Sequence, residues 1–306
     1  MTLQDPGLGP DITPTEGPVP LPAVPDELRS PRGARVARVL RGGFGSLAVL
    51  GLLTIVLVAV FAPLIAPHDP VAQHPGSELL GLGSPGFPLG TDELGRDLLS
   101  RLVYGTRVSL LVGVVSVALG GGVGVVMGLV SGYVGGLVDS VLMGISSILL
   151  ALPAILIAVA VVTVIGPGTW QTAFALAPGT APIFARLTRA LVLTERQRDY
   201  VQAARACGAG GFRILFVHIL PNAVGPLLIQ SSLAVGTAVL SEAALSFLGL
   251  GAQPPQPSWG AMLFASLNYL YQQPWYGVWP GAALALLVFA LTGVAERLRE
   301  RLEPSS

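Results

Sequence analysis

The sequence predicts an all-α integral membrane protein with six transmembrane helices. Three observations predict it. Charged residues make up 11% of the 306 residues, against about 25% in a soluble domain. Hydrophobic types reach 52% and the mean hydropathy is +0.71. The apolar residues also fall in long runs, on the scale of the roughly 20 residues a helix needs to cross a bilayer core.

Residues 1–43 differ from the rest. Eight prolines lie between Pro6 and Pro31 with no apolar periodicity, which predicts a disordered tail. It lacks the basic start and apolar core of a signal peptide. It ends in Arg29, Arg32, Arg35, Arg38 and Arg41, the pattern of a basic anchor flanking a membrane helix.

The first apolar run, Phe44 to Ile65, is free of charge and predicts a span over residues 44–66, followed by an extracytoplasmic loop over 67–107. The second span is Val108 to Val130. The third, Val138 to Ile165, holds Pro153. The fourth, Trp170 to Ala185, is short and carries Pro178 and Pro182, so a bend is expected. The fifth is Ala223 to Leu248 and the sixth Val278 to Ala295. Residues 108–297 form one membrane core, and 298–306 a short tail.

Arginine placement sets the direction, since basic residues concentrate in cytoplasmic segments. All 17 basic residues are Arg. With the N-terminus inside, the five tail arginines are cytoplasmic. So are Arg186, Arg189, Arg196, Arg198, Arg205 and Arg213 before span five, and Arg297, Arg299 and Arg301 after span six. Only Arg96, Arg101 and Arg107 lie outside. Both termini are therefore expected in the cytoplasm.

Composition excludes several classes. Cys207 is the single cysteine, so no disulfide scaffold is possible. The 17 basic residues balance 17 acidic ones, which argues against a nucleic-acid binder. The absence of Lys removes Schiff-base chemistry and a Lys-bearing phosphate loop. No HExxH, no Gly-x-Ser-x-Gly and no paired intramembrane aspartates point to an enzyme. A secondary transporter would show internal repeats and a midplane charge, and neither is evident.

Two connections exceed the 12 to 15 residues or so above which loops are usually functional. The outer one contains Gly90-Thr91-Asp92-Glu93-Leu94-Gly95-Arg96-Asp97. Thr91 suits an N-cap, and Asp97 and Arg101 fall four apart on the helix that follows. This reads as a helix lying on the membrane surface or as a docking surface for an extracytoplasmic partner. The inner one, 195–221, runs Asp199-Tyr200-Val201-Gln202-Ala203-Ala204-Arg205-Ala206-Cys207-Gly208 and on to His218-Ile219-Leu220-Pro221. Residues 202–206 favour helix, and Gly208 suits a left-handed cap. A cytoplasmic helix, a turn and a second helix entering span five at Pro221 would act as a lever on the spans.

Gln202-Ala203-Ala204, then Gly208, then His218-Ile219-Leu220-Pro221 resembles the EAA loop of ABC importer permeases. Leu89-Gly90-Thr91-Asp92 with Gly95-Arg96-Asp97 and Ser100-Arg101-Leu102 is similar to the outer loop of the peptide/nickel branch. So is the run from Glu242 to Gly251 followed by Pro254-Pro255-Gln256-Pro257-Ser258-Trp259-Gly260. The matches extend over roughly residues 40 to 297 and look most like the C-type subunits of dipeptide and oligopeptide importers.

The resemblance implies a type I importer permease of the MetI-like fold. It implies pairing with a homologous permease subunit, two ATPase subunits beneath and a solute-binding protein outside, with membrane lipid around the spans and no nucleic acid. ATP and Mg would be used by the ATPases, and this chain would bind no cofactor. Tyr200, Gln202, Ala203, Ala204, Arg205, Gly208 and Pro221 would couple to an ATPase. Asp92, Arg96, Asp97 and Trp259 would serve extracytoplasmic docking, and Glu242 an outer gate or subunit pairing. Gln202 stands where the family motif opens with Glu.

Glu242 is the one ionisable residue inside an apolar span, which marks it for attention. It lies 20 residues past Asn222, or about 30 Å along a helix, near the outer face where water can reach it. A structural hydrogen bond, a gate or pairing role and a proton relay are the readings available. Asp139 opens span three, where a helix N-terminus favours a carboxylate. His68 and His74 flank Asp69 with Glu78 nearby, but two histidines six apart in a Pro-rich loop are weak grounds for a metal. Gly120-Gly121-Gly122, Gly124, Gly128 and Gly132 lie in or just after span two, and the spacing of four predicts close helix packing, within the chain or to the partner permease.

Overall fold

A computed structural model describes the backbone of residues 31–302 and the side chains from residue 45. Residues 1–30, including Arg29 and most of the expected disordered tail, lie outside the described residues. Helix α1 spans Pro31–Val60. It therefore takes in residues 31–43, which composition assigned to the tail. Proline at a first helical position is well placed, and the Arg, Ala, Val and Leu that follow tolerate helix.

All described regular structure is helical. After α1 comes the short α2 (Ala62–Ile65) and then an irregular outer loop. Helix α3 (Leu98–Val134) runs unbroken for 37 residues. The outer loop thus ends at Asp97 rather than Arg107, because Asp97, not Thr91, is the N-cap: its side chain accepts from the Ser100 amide. Helices α4 (Gly136–Ala151) and α5 (Ala154–Ile165) follow. The single third span expected over 138–165 is broken between them, and their axes meet at 90°. Pro153 supplies no amide proton and biases Leu152 out of the helical region; Leu152 has ψ 137.

Helix α6 (Thr169–Glu195) is a continuous 27 residues despite Pro178 and Pro182. It extends well past the fourth run read from the sequence. Its last turns carry Arg186, Arg189 and Glu195, which ended the apolar run but not the helix. Then come α7 (Asp199–Ala206), the one-turn α8 (Gly211–Arg213), a π-helix over Ile214–Ile219, and α9 (Leu220–Phe247). From Gly211 to Phe247 this is one rod, so Pro221 lies inside it and does not begin a separate helix. Pro221 has no N–H and crowds the carbonyl four residues back; the ladder widens to π spacing immediately before it. Helices α10 (Trp259–Ser266) and α11 (Trp275–Leu302) complete the described residues. Helix α11 continues through residue 298, where a tail was expected.

Among the described residues, three helices are long and apolar enough to cross a membrane, or up to four if the bent α4–α5 pair is one span. Helices α3 and α6 make the most extensive contact. Gly120, Gly124, Gly128 and Gly132 line it: a Cβ on Gly124 would stand 2.2 Å from the Ala181 carbonyl oxygen, and one on Gly128 2.5 Å from that of Ala185. Small residues admit this approach where side chains could not. At the end where α3 begins, Leu98, Val239, Ala243, Trp259, Met262, Tyr276 and Leu287 form one core joining α3, α9, α10 and α11. At the opposite end, Leu129, Val192, Val201, Ile214 and Ile219 form another.

Candidate functional site

Helix α7 is exposed on a fixed mount. Val201 is the one buried residue of α7 and packs into that second core. Gln202, Ala203, Arg205, Ala206 and Cys207 are exposed, Ala204 half-buried. The helix ends as the sequence required. Gly208 has φ +83; its amide donates to the Arg205 carbonyl and that of Ala209 to the Ala204 carbonyl, both at 3.0 Å. That bond pair closes a helix through a left-handed residue.

Tyr200 ties this helix to α6 and α9. Its hydroxyl donates to the Glu195 carboxylate at the end of α6 and accepts from Asn222 Nδ2 of α9 at 3.2 Å. Asn222 also donates to the His218 carbonyl at 2.6 Å. Partial burial, then the hydrogen bond to Glu195 and its charge, push the Tyr200 phenol up to about 12, so it keeps its proton across the physiological range. Gln202 donates to the Arg196 carbonyl at 3.1 Å and so braces the start of α7. Pro221 is exposed at the root of α9.

Arg189 and Asp139 anchor α6 to α4 through two contacts of 2.5 Å, and Ser131 of α3 donates to the same carboxylate. Asp139 does lie in the first turn of its helix. Its arginine partner was not legible, since 50 residues separate them. Arg196 donates to the Gly132 carbonyl at 3.0 Å. A displacement of α7 therefore acts on α3, α4, α6 and α9 together.

At the opposite end the residues read as docking groups are internal. Asp92 and Asp97 are 0% exposed, Arg96 7% and Trp259 2%. Buried side chains offer no contact surface, so their work is to shape the loop. Asp92 accepts from Arg96 Nε at 2.6 Å and from the amides of Leu94 and Arg96 at 2.9 Å each. Arg101 Nε stands 3.2 Å from the same carboxylate, and its Nη1 donates to the Pro70 carbonyl at 3.1 Å. The expected Asp97–Arg101 pair does not form, because Asp97 is engaged in capping α3. Glu93 accepts from Tyr276 Oη of α11 at 2.7 Å and from Arg96 Nη2 at 3.1 Å. Trp259 Nε1 donates to the Leu102 carbonyl at 3.0 Å, pinning α10 to α3.

Asp92→Asn is expected to unlatch this loop. It leaves two buried guanidinium groups without the carboxylate between them, a loss of about 3–5 kcal/mol for a broken buried pair. Faster proteolysis within residues 67–97 in outward-exposed membranes checks this, and an unchanged rate would show the loop held by other contacts.

Glu242 was expected where water reaches it. It is 1% exposed. Ser109 of α3 donates to it at 2.9 Å and Ser246 at 2.7 Å. Ser246 also accepts from the Ala252 amide at 3.3 Å, so the loop after α9 folds back as a lid. The structural hydrogen-bond reading is the one this geometry supports. Near His68 and His74, no group of three or more metal-ligating side chains occurs among the described residues. His68 instead stacks on Phe87 with centroids 5.0 Å apart.

A family profile described as "Binding-protein-dependent transport system inner membrane component" matches residues 124–306. Another, "N-terminal TM domain of oligopeptide transport permease C", matches residues 42–81. The chain is 45% identical over 270 residues to the di/tripeptide transport system permease protein DppC of Pseudomonas aeruginosa, covering 86% of this chain and 88% of that one. It is 46% identical over 265 residues to the dipeptide transport system permease protein DppC of Escherichia coli, covering 84% and 88%. A glutathione transport system permease protein, GsiD of Pectobacterium atrosepticum, is 38% identical over 93% of this chain and 95% of its own length. Among solved structures, an inward-facing MetNI methionine ABC transporter has a similar fold, with a TM-score of 0.57 at 20% identity over 67% of this chain and 98% of that one.

Proposed function

Because this chain belongs to the family of inner membrane components of binding-protein-dependent transport systems, we propose that it is one permease subunit of an ATP-driven importer of di- and oligopeptides. The observation that carries the reading is identity of 45–46% to permeases named for di- and tripeptides, over most of both chains. The chain works beside a homologous permease in a prokaryotic cytoplasmic membrane. Two ATPase subunits hydrolyse ATP beneath it, and an extracytoplasmic binding protein delivers the peptide.

Six crossings are proposed: α1, α3, the bent α4–α5 pair, α6, α9 and α11, with both termini inside. The exposed Tyr271 and the stacked Trp275 and Trp279 support this, since such rings favour the membrane–water boundary. Helix α7 is the contact to an ATPase. Its exposed small residues admit a close surface, and the Tyr200 node passes motion to α6 and α9. A dependable two-state switch needs about 5.5 kcal/mol of bias, within reach of nucleotide binding to the partner subunits.

Cys207 is exposed at the end of α7. A membrane-impermeant maleimide is expected to label it in inside-out vesicles and not in intact cells, and assembly with the ATPases is expected to slow the labelling. Labelling from outside would overturn the topology.

The test of substrate is uptake of labelled dipeptide and labelled nickel in cells lacking the chain and in cells with it restored. Loss of dipeptide uptake alone is expected. Loss of nickel uptake alone would keep the permease and change its cargo, and no loss of either would overturn the peptide assignment.

A further inference from the structure

A cavity of about 650 Å³ opens at the outer end of the molecule. Its walls come from three separate stretches: the outer part of α3, the turn between α5 and α6, and the loop that follows α9. That volume falls within the roughly 300–1,000 Å³ of small-molecule sites. The chemistry of the lining is uneven. Arg107 is its only charged residue, and no carboxylate faces it. Nor does Arg107 have an ion pair or hydrogen bond among the described residues; its guanidinium lies 5.9 Å from the centre of the Tyr104 ring. The ion pairs of the neighbouring outer loop are closed on themselves, so this cation is left over.

Side-chain amides line the same cavity. Gln256 Oε1 accepts from Thr169 at 3.1 Å, leaving its NH₂ group available. Gln253 spends its NH₂ group on the Gly249 and Gly251 carbonyls at 3.0 and 3.1 Å, leaving its Oε1. Gln171 has no described hydrogen-bond partner on either side. The remaining wall is ring and proline: Trp170, half exposed, faces Pro254, Pro255 and Pro257. One fixed cation, neutral amide donors and acceptors, and flat apolar walls are what the end of a short peptide asks for. The cation takes the terminal carboxylate, the amides take main-chain groups, and the walls accept any side chain.

We propose that this vestibule is a receiving site for a short peptide released by the binding protein, with Arg107 holding the terminal carboxylate. The inference rests on the peptide-import reading above and adds to it a place on this chain where the cargo first lands. A charge-assisted bond to a carboxylate is roughly twice as strong as a neutral one. An exposed site without any counter-acid can hold such a bond without paying to break a previous one.

The test uses the full complex, with its partner permease, ATPases and binding protein, in phosphatidylcholine vesicles. Uptake of labelled dialanine and hydrolysis of ATP are measured in the same vesicles. In Arg107→Gln the number of peptides imported per ATP hydrolysed is expected to fall about tenfold, the scale of one charged hydrogen bond; Arg107→Lys is expected to restore most of it. An unchanged ratio would overturn the proposal. So would a parallel fall in uptake and hydrolysis, which would mean the cavity docks the binding protein. A loss seen only when phosphatidylglycerol is added would mean Arg107 holds lipid phosphate instead. As an independent readout, a benzoylphenylalanine replacing Trp170 is expected to capture labelled peptide on illumination during turnover. Capture of lipid or of binding protein alone would count against the site. Should the unmodified complex import no dipeptide, the peptide reading itself fails, and that outcome is read before any variant.

Discussion

A chain carrying Gly124→Val is expected not to accumulate as folded protein, whereas Gly122→Ala on the same helix accumulates normally. The two positions are two residues apart and face opposite surroundings. A Cβ on Gly124 would meet the Ala181 carbonyl oxygen at 2.2 Å and Phe184 Cβ at 2.7 Å, while one on Gly122 meets nothing within 4 Å. The obstacle at Gly124 is backbone and cannot rotate away, so α6 must retreat from α3 along its length. Overpacking costs about 1–3 kcal/mol where side chains can adjust, and a backbone obstacle puts this case at the upper end. Retreat also strains the Arg189–Asp139 anchor and separates Gly128 from Ala185 and Thr188. The amount of each variant in the membrane, with size-exclusion of the detergent extract, separates the outcomes. Equal accumulation of the two variants as a monodisperse species would show that α3 and α6 are not held by this seam.

Gly208→Val is expected to remove at least nine-tenths of transport while leaving membrane insertion intact. Gly208 has φ +83, where an L-residue costs roughly 1–2 kcal/mol and a β-branched one more. Relief of that strain breaks the two capping hydrogen bonds at the end of α7, each worth about 1 kcal/mol. Since 1.4 kcal/mol is about a factor of ten in a population, α7 spends most of its time misaligned. Nothing within 4 Å would collide with the new Cβ, so the defect is conformational and not steric. Gly208→Asn, which tolerates the left-handed region, is expected to keep most activity. Peptide uptake beside a surface-biotin measure of chain in the membrane reads both quantities. Normal uptake by the valine variant would show that α7 does not depend on this cap.

What could be read in advance was what depends on neighbours in the chain. Gly208 announced itself because its role is local, at the end of a run of helix formers. The four-residue glycine spacing of α3 announced a close helix contact for the same reason, although not that α6 was the partner. The burial of the polar residues in the loop before α3 was not legible because its bonds are not local: Arg101 reaches back to Asp92 and Pro70, and Glu93 is held by Tyr276, 183 residues away. Polar residues in a loop read as a surface, yet here they pair with one another and go inside. Glu242 was expected within reach of water and is buried, since nothing in its spacing shows that residues 249–258 fold back over it. The length of α6 was hidden by hydropathy, which reports where lipid ends and not where a helix does.

A straight helix carries a displacement from one end to the other, because its ladder of hydrogen bonds is stiff along the axis. The chain between Gly136 and Ile165 is not such a rod. Its two arms meet at a right angle at Leu152 and Pro153, and the apex has no amide proton with which to stiffen it. Axial motion of α4, gripped by Arg189, arrives at α5 as a sideways push. The elbow thereby lets the two arms follow different neighbours: α4 packs on α3 and α6, and α5 on α6 and α9.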